Sequence, residues 1–216
     1  MGIQESVFSQ GEGDQWFLRN RAQIEYSGSF ADVDFILERL NPFQNQINRV
    51  LEVGCAAAHK VEKMASVLDA EPFGIDPSEK AIRAAIERTR YVDNFLVGTI
   101  DKINLPDSRF DAVYVAFCMY LVSREELERA IAEVDRVLRN GGFLIIEDFD
   151  PGVEIEVGYK HHSEIKTHKA DYAKFFLNLE RYYLLEKKSL SHASNYFTND
   201  INERISIQIL QKHPNF

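Results

Sequence analysis

From Arg49 onward, short β-rich runs alternate with segments of helical period. The runs lie at residues 50–53, 72–75, 95–98, 112–117 and 143–147, and the helical segments between them at residues 62–68, 78–88 and 124–138. Strands that alternate with helices along a chain form a parallel sheet covered by helices. The alternation therefore predicts an α/β domain, in which Asn140, Gly141 and Gly142 mark the end of the last of these helices.

The alternation stops after Pro151. Residues 152–181 form a polar, aromatic stretch with no strong period, and two further β-rich runs follow at residues 182–190 and 204–210. A polar loop without a crossover helix joins these two runs, which predicts a hairpin and an antiparallel end to the sheet. Ahead of Arg49, a helical segment at residues 32–40 and an aromatic patch at Trp16 and Phe17 predict a cap over one edge of the sheet.

Length and composition fit one domain. The chain has 216 residues, 45% of them hydrophobic, and a formal charge of -9 with no basic stripe, so we expect a sizeable core and no nucleic-acid partner. The longest apolar runs are far shorter than a membrane span, and residues 1–10 lack the pattern of a signal peptide. We therefore expect no membrane partner and a cytoplasmic location. Cys55 and Cys118 are too few for a disulfide framework or a zinc site.

Two motifs follow the first two strands. Residues 54–58 form a loop of small side chains after the first strand, which is how α/β proteins bring backbone N–H groups against a ligand. Asp76 follows the second strand about 20 residues later, the spacing at which a carboxylate receives the ribose hydroxyls of an adenosine cofactor. Helix capping is the structural alternative for Asp76. A nicotinamide cofactor would call for the spacing G-x-G-x-x-G, of which this loop retains Gly54 alone.

Four segments in chain order resemble the motifs of class I S-adenosylmethionine-dependent methyltransferases. Residues 50–54 are similar to the family's first motif, residues 74–76 to its second, residues 105–111 to the segment before its fourth strand, and residues 137–145 to the turn into its fifth strand. The resemblance covers residues 48–149. It implies a Rossmann-like three-layer αβα sandwich around a seven-stranded, mostly parallel sheet of order 3-2-1-4-5-7-6 that ends in an antiparallel hairpin.

The resemblance also implies that residues 1–216 form a single domain whose segments have different roles. We expect residues 1–48 to form an N-terminal cap or lid, residues 49–149 the cofactor-binding core, residues 150–181 a substrate-side insert and residues 182–216 the terminal hairpin. The cofactor contacts implied for S-adenosylmethionine are Glu52, Gly54, Cys55 and Ala56 at its methionine end, Asp76 and the following Pro77 at its ribose, Thr99, Ile100 and Asp101 at its adenine, and Ala116 and Phe117 beneath its sulfonium.

The sequence departs from the family pattern at two places. Ala56 and Ala58 stand where glycines are usual, which adds methyl groups where the backbone normally approaches the ligand. Thr99 stands where an acid is often found.

Methyl transfer depends on orientation of the acceptor, and a hydroxyl acceptor also needs a general base. The catalytic candidates lie in loops after the strands, at Tyr120, Asp148, His161 and His162. Their structural alternatives are ring packing for Tyr120, turn formation for Asp148 and exposed surface positions for the histidines. We expect no metal, because no carboxylate lies at a clear ligand spacing from the histidines. His192, in the hairpin loop, shows no pattern.

Substrate contacts are expected from Trp16, Arg19 and Asn20 in the N-terminal segment and from Asp150 and Tyr159 after the fifth strand. Simple packing of the aromatic residues is the alternative. The N-terminal segment and residues 159–172 also resemble, more weakly, bacterial methyltransferases of surface-glycan and modified-sugar biosynthesis. The prediction is therefore methyl transfer to O or N of a small polar molecule, such as a sugar or nucleotide-sugar derivative, by a monomer or homodimer. A non-catalytic cofactor-binding module and a nicotinamide-dependent reductase are the alternatives.

Overall fold

The computed structural model describes residues 2–25 and 30–215, so residues 26–29 of the predicted cap and the two terminal residues lie outside the described part. The strands are β1 Arg49–Val53, β2 Glu71–Asp76, β3 Phe95–Val97, β4 Phe110–Ala116, β5 Leu138–Phe149, β6 Ile155–Gly158, β7 Lys166–Lys169, β8 Tyr182–Ser191 and β9 Arg204–Lys212. The α-helices are α1 Ile3–Val7, α2 Gly13–Glu25, α3 Ala31–Leu40, α4 His59–Leu68, α5 Glu79–Ile86, α6 Leu127–Val137 and α7 Ala173–Leu177.

Seven strands form one sheet in the order β3-β2-β1-β4-β5-β9-β8. Strands β1 to β5 are parallel, β9 pairs antiparallel with β5, and β8 pairs antiparallel with β9. Every residue of β4 is buried, as expected for a central strand covered on both faces. This arrangement confirms the predicted Rossmann-like α/β sheet, its strand order and its terminal hairpin.

The helix before β5 is shorter than the sequence predicts. Helix α6 begins at Leu127 and ends at Val137, and its buried residues include Ile131 and Val134 on one face. Leu138 already pairs with Phe110, and the next pair joins Phe143 to Ala112, so the residues between them form a bulge. Gly141 has a φ of +75° in this bulge. The glycines therefore bend the start of a strand and do not end the helix.

The insert after β5 has more regular structure than its sequence predicts. Strands β6 and β7 form a separate antiparallel ribbon in which Ile155 pairs with Lys169, and α7 follows it. Each strand has four residues, and β6 is mostly exposed. A ribbon this short and this polar carries no apolar period long enough to reveal it.

The N-terminal segment is anchored over the sheet's C-terminal edge. A π-helical turn, Phe8–Glu12, joins α1 to α2 through a kink at Gly11, whose φ is 141°. The Glu5 carboxylate accepts hydrogen bonds from the backbone N–H and the hydroxyl of Ser123 at 2.8 and 2.6 Å. The Gln4 side chain donates to the carbonyl oxygens of Leu121 and Lys166. In the part of the chain that the structure describes, no helix is long and apolar enough to cross a membrane.

Candidate active site

The loop between β1 and α4 has the backbone conformation of a glycine-rich loop. Gly54, Ala56 and Ala58 have φ angles of +79°, +45° and +64°. Left-handed φ values favour glycine, and an alanine in this region costs roughly 1 kcal/mol. The chain therefore keeps the conformation of the glycine pattern although alanine has replaced two of its glycines.

Gly54 is fixed between the ends of β2 and β4. The backbone N–H groups of Gly54 and Cys55 both donate to the Ile75 carbonyl oxygen, at 2.9 and 3.0 Å. A Cβ atom at Gly54 would lie 3.3 Å from the Ala116 carbonyl oxygen and from Cys118 Cβ. This close approach requires a residue without a side chain and brings the end of β4 against the loop.

The Asp76 carboxylate lies beside the loop and is 9% exposed. One oxygen accepts the Ala56 N–H and the other the Ser78 N–H, each at 2.8 Å. Burial raises the pKa of Asp76 to about 6, against the lowering effect of these two bonds. A carboxylate oxygen can accept more than one hydrogen bond, so both oxygens retain capacity for a ligand.

Glu52 and Cys55 lie beneath the loop. Glu52 is 2% exposed, and its carboxylate accepts the Val61 N–H of α4 at 3.1 Å. Burial raises the pKa of Glu52 to about 8. Cys55 is also buried, and a Cβ at Gly74 would lie 2.6 Å from its Sγ. The two side chains therefore support the loop from below.

Thr99, Ile100 and Asp101 follow β3, where the resemblance places the adenine. Ile100 and Asp101 are buried, and Thr99 forms a bridge with Lys102. Oδ1 of Asp101 is buried and has no hydrogen-bond partner among the described residues. Thr99 and Asp101 also line a pocket whose other walls are Lys102, Arg129 and Glu133.

Helix α2 covers the end of β2. A Cβ at Gly13 would lie 3.2 Å from backbone atoms of Pro77 and Ser78, and Asp14 Oδ1 accepts the Ser78 hydroxyl at 2.7 Å. Phe17 is 2% exposed and packs in a small cluster with Ala57 and Ala81, against which Trp16 also packs. The aromatic patch noted in the sequence therefore shields the loop from solvent.

Two of the expected substrate residues in α2 have partners within the protein. Arg19 forms an ion pair with Glu12 at 2.5 Å and donates to the Tyr159 hydroxyl at 3.3 Å. That hydroxyl in turn donates to Glu12 at 2.8 Å. Asn20 donates from its side chain to the Trp16 carbonyl oxygen at 2.8 Å. The Glu12, Arg19 and Tyr159 side chains thus link the N-terminal segment to the residue that follows β6.

Tyr120, Asp148 and Asp150 lie at the C-terminal ends of β4 and β5. Asp148 is 3% exposed, and its carboxylate accepts the backbone N–H groups of Tyr120 and Phe149 at 3.2 and 2.7 Å. Burial raises the pKa of Asp148 to about 7 and, with the charge of Asp148, raises that of Tyr120. Asp150 is also buried and forms an ion pair with Lys187 at 2.7 Å.

His161 and His162 lie in the turn of the β6–β7 ribbon. His161 is exposed and its ring contacts that of Tyr159 at 5.6 Å between centroids. Nδ1 of His162 is buried without a hydrogen-bond partner in the described chain. Across residues 2–25 and 30–215, no three side chains of His, Cys, Asp or Glu come together in a way that could hold a metal ion.

A partly buried ionic network centred on Lys60 lies behind the loop, and the sequence did not predict it. The Lys60 ammonium forms an ion pair with Asp32 and lies 3.2 Å from both Glu147 Oε2 and the Tyr114 hydroxyl. Tyr114 also donates a hydrogen bond to Glu147. Burial raises the pKa of Glu147 and Lys60 opposes this; although burial acts on Asp32 too, Lys60 holds the Asp32 pKa below its usual value. These residues lie on four different elements, so no local pattern reveals them.

Four rings that are at least partly exposed form a cluster, and the sequence predicts only some of its members. Phe149 contacts Phe117 and Tyr120 with ring centroids 5.9 and 5.1 Å apart, and His192 lies 5.3 and 5.4 Å from Phe117 and Phe149. We call Phe117, Tyr120, Phe149 and His192 the ring cluster. The sequence singled out Phe117 and Tyr120, but His192 joins them from the β8–β9 loop through tertiary structure.

Comparisons with known proteins agree with this geometry. Residues 51–146 match the family model of a methyltransferase domain. An O-methyltransferase of Penicillium expansum, cnsE, is 31% identical over 117 residues, which are 51% of this chain and 40% of that protein. A tRNA N(3)-methylcytidine methyltransferase of Schizosaccharomyces pombe, trm140, is 26% identical over 150 residues, or 63% of this chain and 48% of that protein. The chain thus spans less than half the length of these two relatives.

Among solved structures, a 1,6-didemethyltoxoflavin-N1-methyltransferase of Burkholderia thailandensis superposes with a TM-score of 0.70 at 11% identity, over 97% of this chain and 90% of that one. That crystal structure contains 1,6-didemethyltoxoflavin and S-adenosylhomocysteine. The likeness shows the fold, a Rossmann-like α/β sheet, and residues 51–146 of that fold are similar to a methyltransferase domain.

Proposed function

We propose that this chain is an S-adenosylmethionine-dependent methyltransferase that transfers a methyl group to O or N of a small polar acceptor. The observation that carries the proposal is the left-handed backbone at Gly54, Ala56 and Ala58, within the residues that match the methyltransferase-domain model. The two relatives are methyltransferases that are named for different acceptors. Their names therefore support the reaction type but do not supply the acceptor.

The residues around the loop fit the cofactor in size and chemistry. Gly54 and Ala56 are partly exposed after the end of β1, and the N-terminus of α4 behind them favours a carboxylate. Asp76 presents two oxygens with spare acceptor capacity, as ribose hydroxyls require. We infer that Ala116 and Phe117 lie below the sulfonium, because the Ala116 carbonyl is the group closest to Gly54 from β4.

S-Adenosylmethionine supplies an activated methyl group when it is bound, so the protein's part is to bind, orient and exclude water. Phe17 and Trp16 exclude water from the loop side. Asp148 acts as a positioning residue, because one of its oxygens accepts the backbone N–H of Tyr120 after β4 and the other accepts that of Phe149 at the end of β5. Residues 2–25 then serve as a lid and residues 150–181 as the substrate-side insert, which the Glu12, Arg19 and Tyr159 contacts hold together.

The polar residues proposed for acceptor contact differ in whether they already have partners within the protein. Asp150 is neutralised by Lys187 and Asn20 is bonded within its own helix, whereas His161 is exposed at the turn of the ribbon. A sugar or nucleotide-sugar acceptor would engage Arg19 and Tyr159 by opening their bonds to Glu12. This acceptor class rests on the weak sequence resemblance.

Transfer of a labelled methyl group tests the proposal. The purified chain is incubated with methyl-labelled S-adenosylmethionine and a panel of hydroxyl and amine acceptors that includes sugars, nucleotide sugars, phenols and heterocyclic amines. Label in any acceptor, together with stoichiometric S-adenosylhomocysteine, is the expected result. Cofactor binding without transfer to any acceptor would favour the non-catalytic module. Saturable quenching by reduced nicotinamide cofactor, without S-adenosylhomocysteine binding, would favour the reductase and contradict the proposal.

A further inference from the structure

We propose that the ring cluster is the acceptor site and that it takes a flat aromatic molecule bearing an acidic hydroxyl group, whose charge Lys169 balances. This inference rests on the proposed function and names an aromatic substrate class in place of the sugar class, which rests on the weak sequence resemblance alone. The ring cluster lies next to the proposed cofactor site, where the acceptor must bind. Phe117 follows Ala116, the residue whose carbonyl contacts the Gly54 loop. An acceptor stacked there is next to the expected position of the transferable methyl group.

One pair of the four rings is stacked, and the other pairs meet edge to face. Phe117, Tyr120 and Phe149 are partly buried, but His192 is exposed. The His192 ring lies on Phe149 with an interplanar angle of 30° and a centroid separation of 5.4 Å. A ring that stacks on one face and meets water on the other can be displaced by, or can sandwich, another flat ring. A sugar ring offers no comparable π-face.

The backbone at Phe117 is strained in a way that a packing role does not require. Its φ is +48°, and its N–H donates to the Glu147 carbonyl oxygen at 2.8 Å. A bulky residue with positive φ is an outlier whose cost is of the order of 1 kcal/mol and which persists where its neighbours impose it. The Phe117 ring contacts those of Phe149 and His192 from this strained position, which is consistent with a binding role.

Lys169 supplies a positive charge at the same place. Its ammonium lies 3.7 Å from the centroid of Phe149 and donates to the Asn202 carbonyl oxygen at 2.6 Å. The acids that face it are Glu203, Asp148 and Asp200. Burial outweighs these acids and lowers the pKa of Lys169. A partly buried ammonium gains from a nearby anion, so it favours the ionised form of an acceptor hydroxyl whose proton is released to solvent.

The probe for this site is 7-hydroxycoumarin, a flat phenol whose neutral and ionised forms absorb differently. It is titrated against the protein with and without saturating S-adenosylhomocysteine, and glucose serves as the non-aromatic comparison. We expect saturable coumarin binding, no glucose binding, and a pKa of the bound hydroxyl that is lower by about 1. Phe149→Leu and His192→Ala each weaken coumarin binding by about tenfold.

The Lys169→Met variant separates charge from stacking. It should abolish the change in the coumarin pKa while binding of the neutral form changes by less than about threefold, because the stem of Met still packs on Phe149. Lys174→Met and Tyr183→Leu are the matched controls, a lysine and a ring that are exposed and lie outside the cluster, and they should change neither quantity. His192→Ala alters an exposed side chain, so it remains informative where Phe149→Leu fails to fold.

The outcomes distinguish this inference from the proposed function. Coumarin that fails to bind a protein that binds S-adenosylhomocysteine, or that binds His192→Ala and Phe149→Leu as tightly as wild type, overturns the ring site and leaves the methyltransferase proposal intact. An unchanged hydroxyl pKa in wild type overturns the role of Lys169. Ring-dependent coumarin binding by a protein that does not bind S-adenosylhomocysteine supports the site and counts against the proposed function.

Discussion

The carboxylate of Asp76 accepts the backbone N–H of Ala56 at 2.8 Å and so ties the end of β2 to the loop after β1. The resemblance assigns Asp76 to the ribose of the cofactor and the loop to its methionine end. One hydrogen bond therefore joins the two halves of the proposed site into one unit. The Ser78 N–H on the other carboxylate oxygen extends this unit to the start of α5. A substitution at Asp76 consequently acts on both halves of the proposed cofactor site.

Restoring glycine in the loop should stabilise the protein. Ala56→Gly relieves a left-handed alanine, and we expect the free energy of unfolding to rise by about 0.5–1 kcal/mol. Ala58→Gly relieves the same strain but removes a buried methyl group, so we expect a smaller rise. Urea denaturation provides the measurement. Ala57→Gly is the matched control, because its methyl group packs with Phe17 in the absence of a positive φ, and it should destabilise. A loss of stability in all three variants would contradict the role assigned to the loop conformation.

Glu52 should make the protein less stable as pH rises. Its pKa is about 8 in the folded state, against a reference of 4.5, so between these values the folded state holds a proton that the unfolded state has lost. The stability contributed by protonated Glu52 is thus present at low pH and is lost as pH rises toward 8. Glu52→Gln should flatten this dependence and raise the free energy of unfolding at pH 8 by about 1–2 kcal/mol. Thermal unfolding between pH 5.5 and 8.5 measures this pH dependence. Glu79→Gln, at an exposed position, is the control.

Lys60 should be among the costliest polar side chains to remove. Lys60→Met leaves Glu147 and Asp32 without a counter-charge, and because the Lys60 side chain is 26% exposed we expect a loss of about 2–3 kcal/mol, below that of a fully buried pair. The double variant Lys60→Met with Glu147→Gln should lose at least about 1 kcal/mol less than the sum of the single losses. Lys63→Met, whose partner Asp34 is exposed, should cost less than about 0.5 kcal/mol. Additive losses would contradict a coupled network.

Cofactor binding should slow amide hydrogen exchange in the N-terminal segment. Asp14 and Gly13 contact residues 77–80, so a ligand at the end of β2 reinforces the packing of α2. S-Adenosylhomocysteine is expected to protect residues 13–25 by about tenfold, whereas the 3-10 helix Asn41–Gln46 keeps its exchange rates. Equal rates with and without ligand in α2 would rule out a lid that responds to the cofactor.

Much of the sheet was predictable because its signals are local. The runs that became β1, β2 and β4 are short and mostly apolar, and the motif at residues 50–54 resembles the first strand of the family. The order of the strands followed from the resemblance and the terminal hairpin from the polar loop between its two β-rich runs, and both are confirmed. The β6–β7 ribbon was missed because four-residue polar strands have no such signal.

The site was less predictable than the fold. The sequence placed Gly54, Ala56 and Asp76 close together, but it did not reveal that Asp76 already accepts two backbone N–H groups. The sequence alone suggests a surface position on α4 for Lys60 and an ordinary loop position for His192. Their partners, Glu147 and Phe149, are distant from them in the chain. Such contacts depend on tertiary packing, for which one sequence carries no periodic signal.

Calorimetric titration with S-adenosylhomocysteine tests the central claim most directly, comparing wild type with Asp76→Ala and with the control Glu79→Gln. We predict saturable binding at one site in wild type and Glu79→Gln, weakened at least about tenfold in a folded Asp76→Ala, because the variant removes the acceptors for the ribose hydroxyls. Absence of binding to wild type, or equal affinity in folded Asp76→Ala, would contradict the account of this loop and acid as the cofactor site.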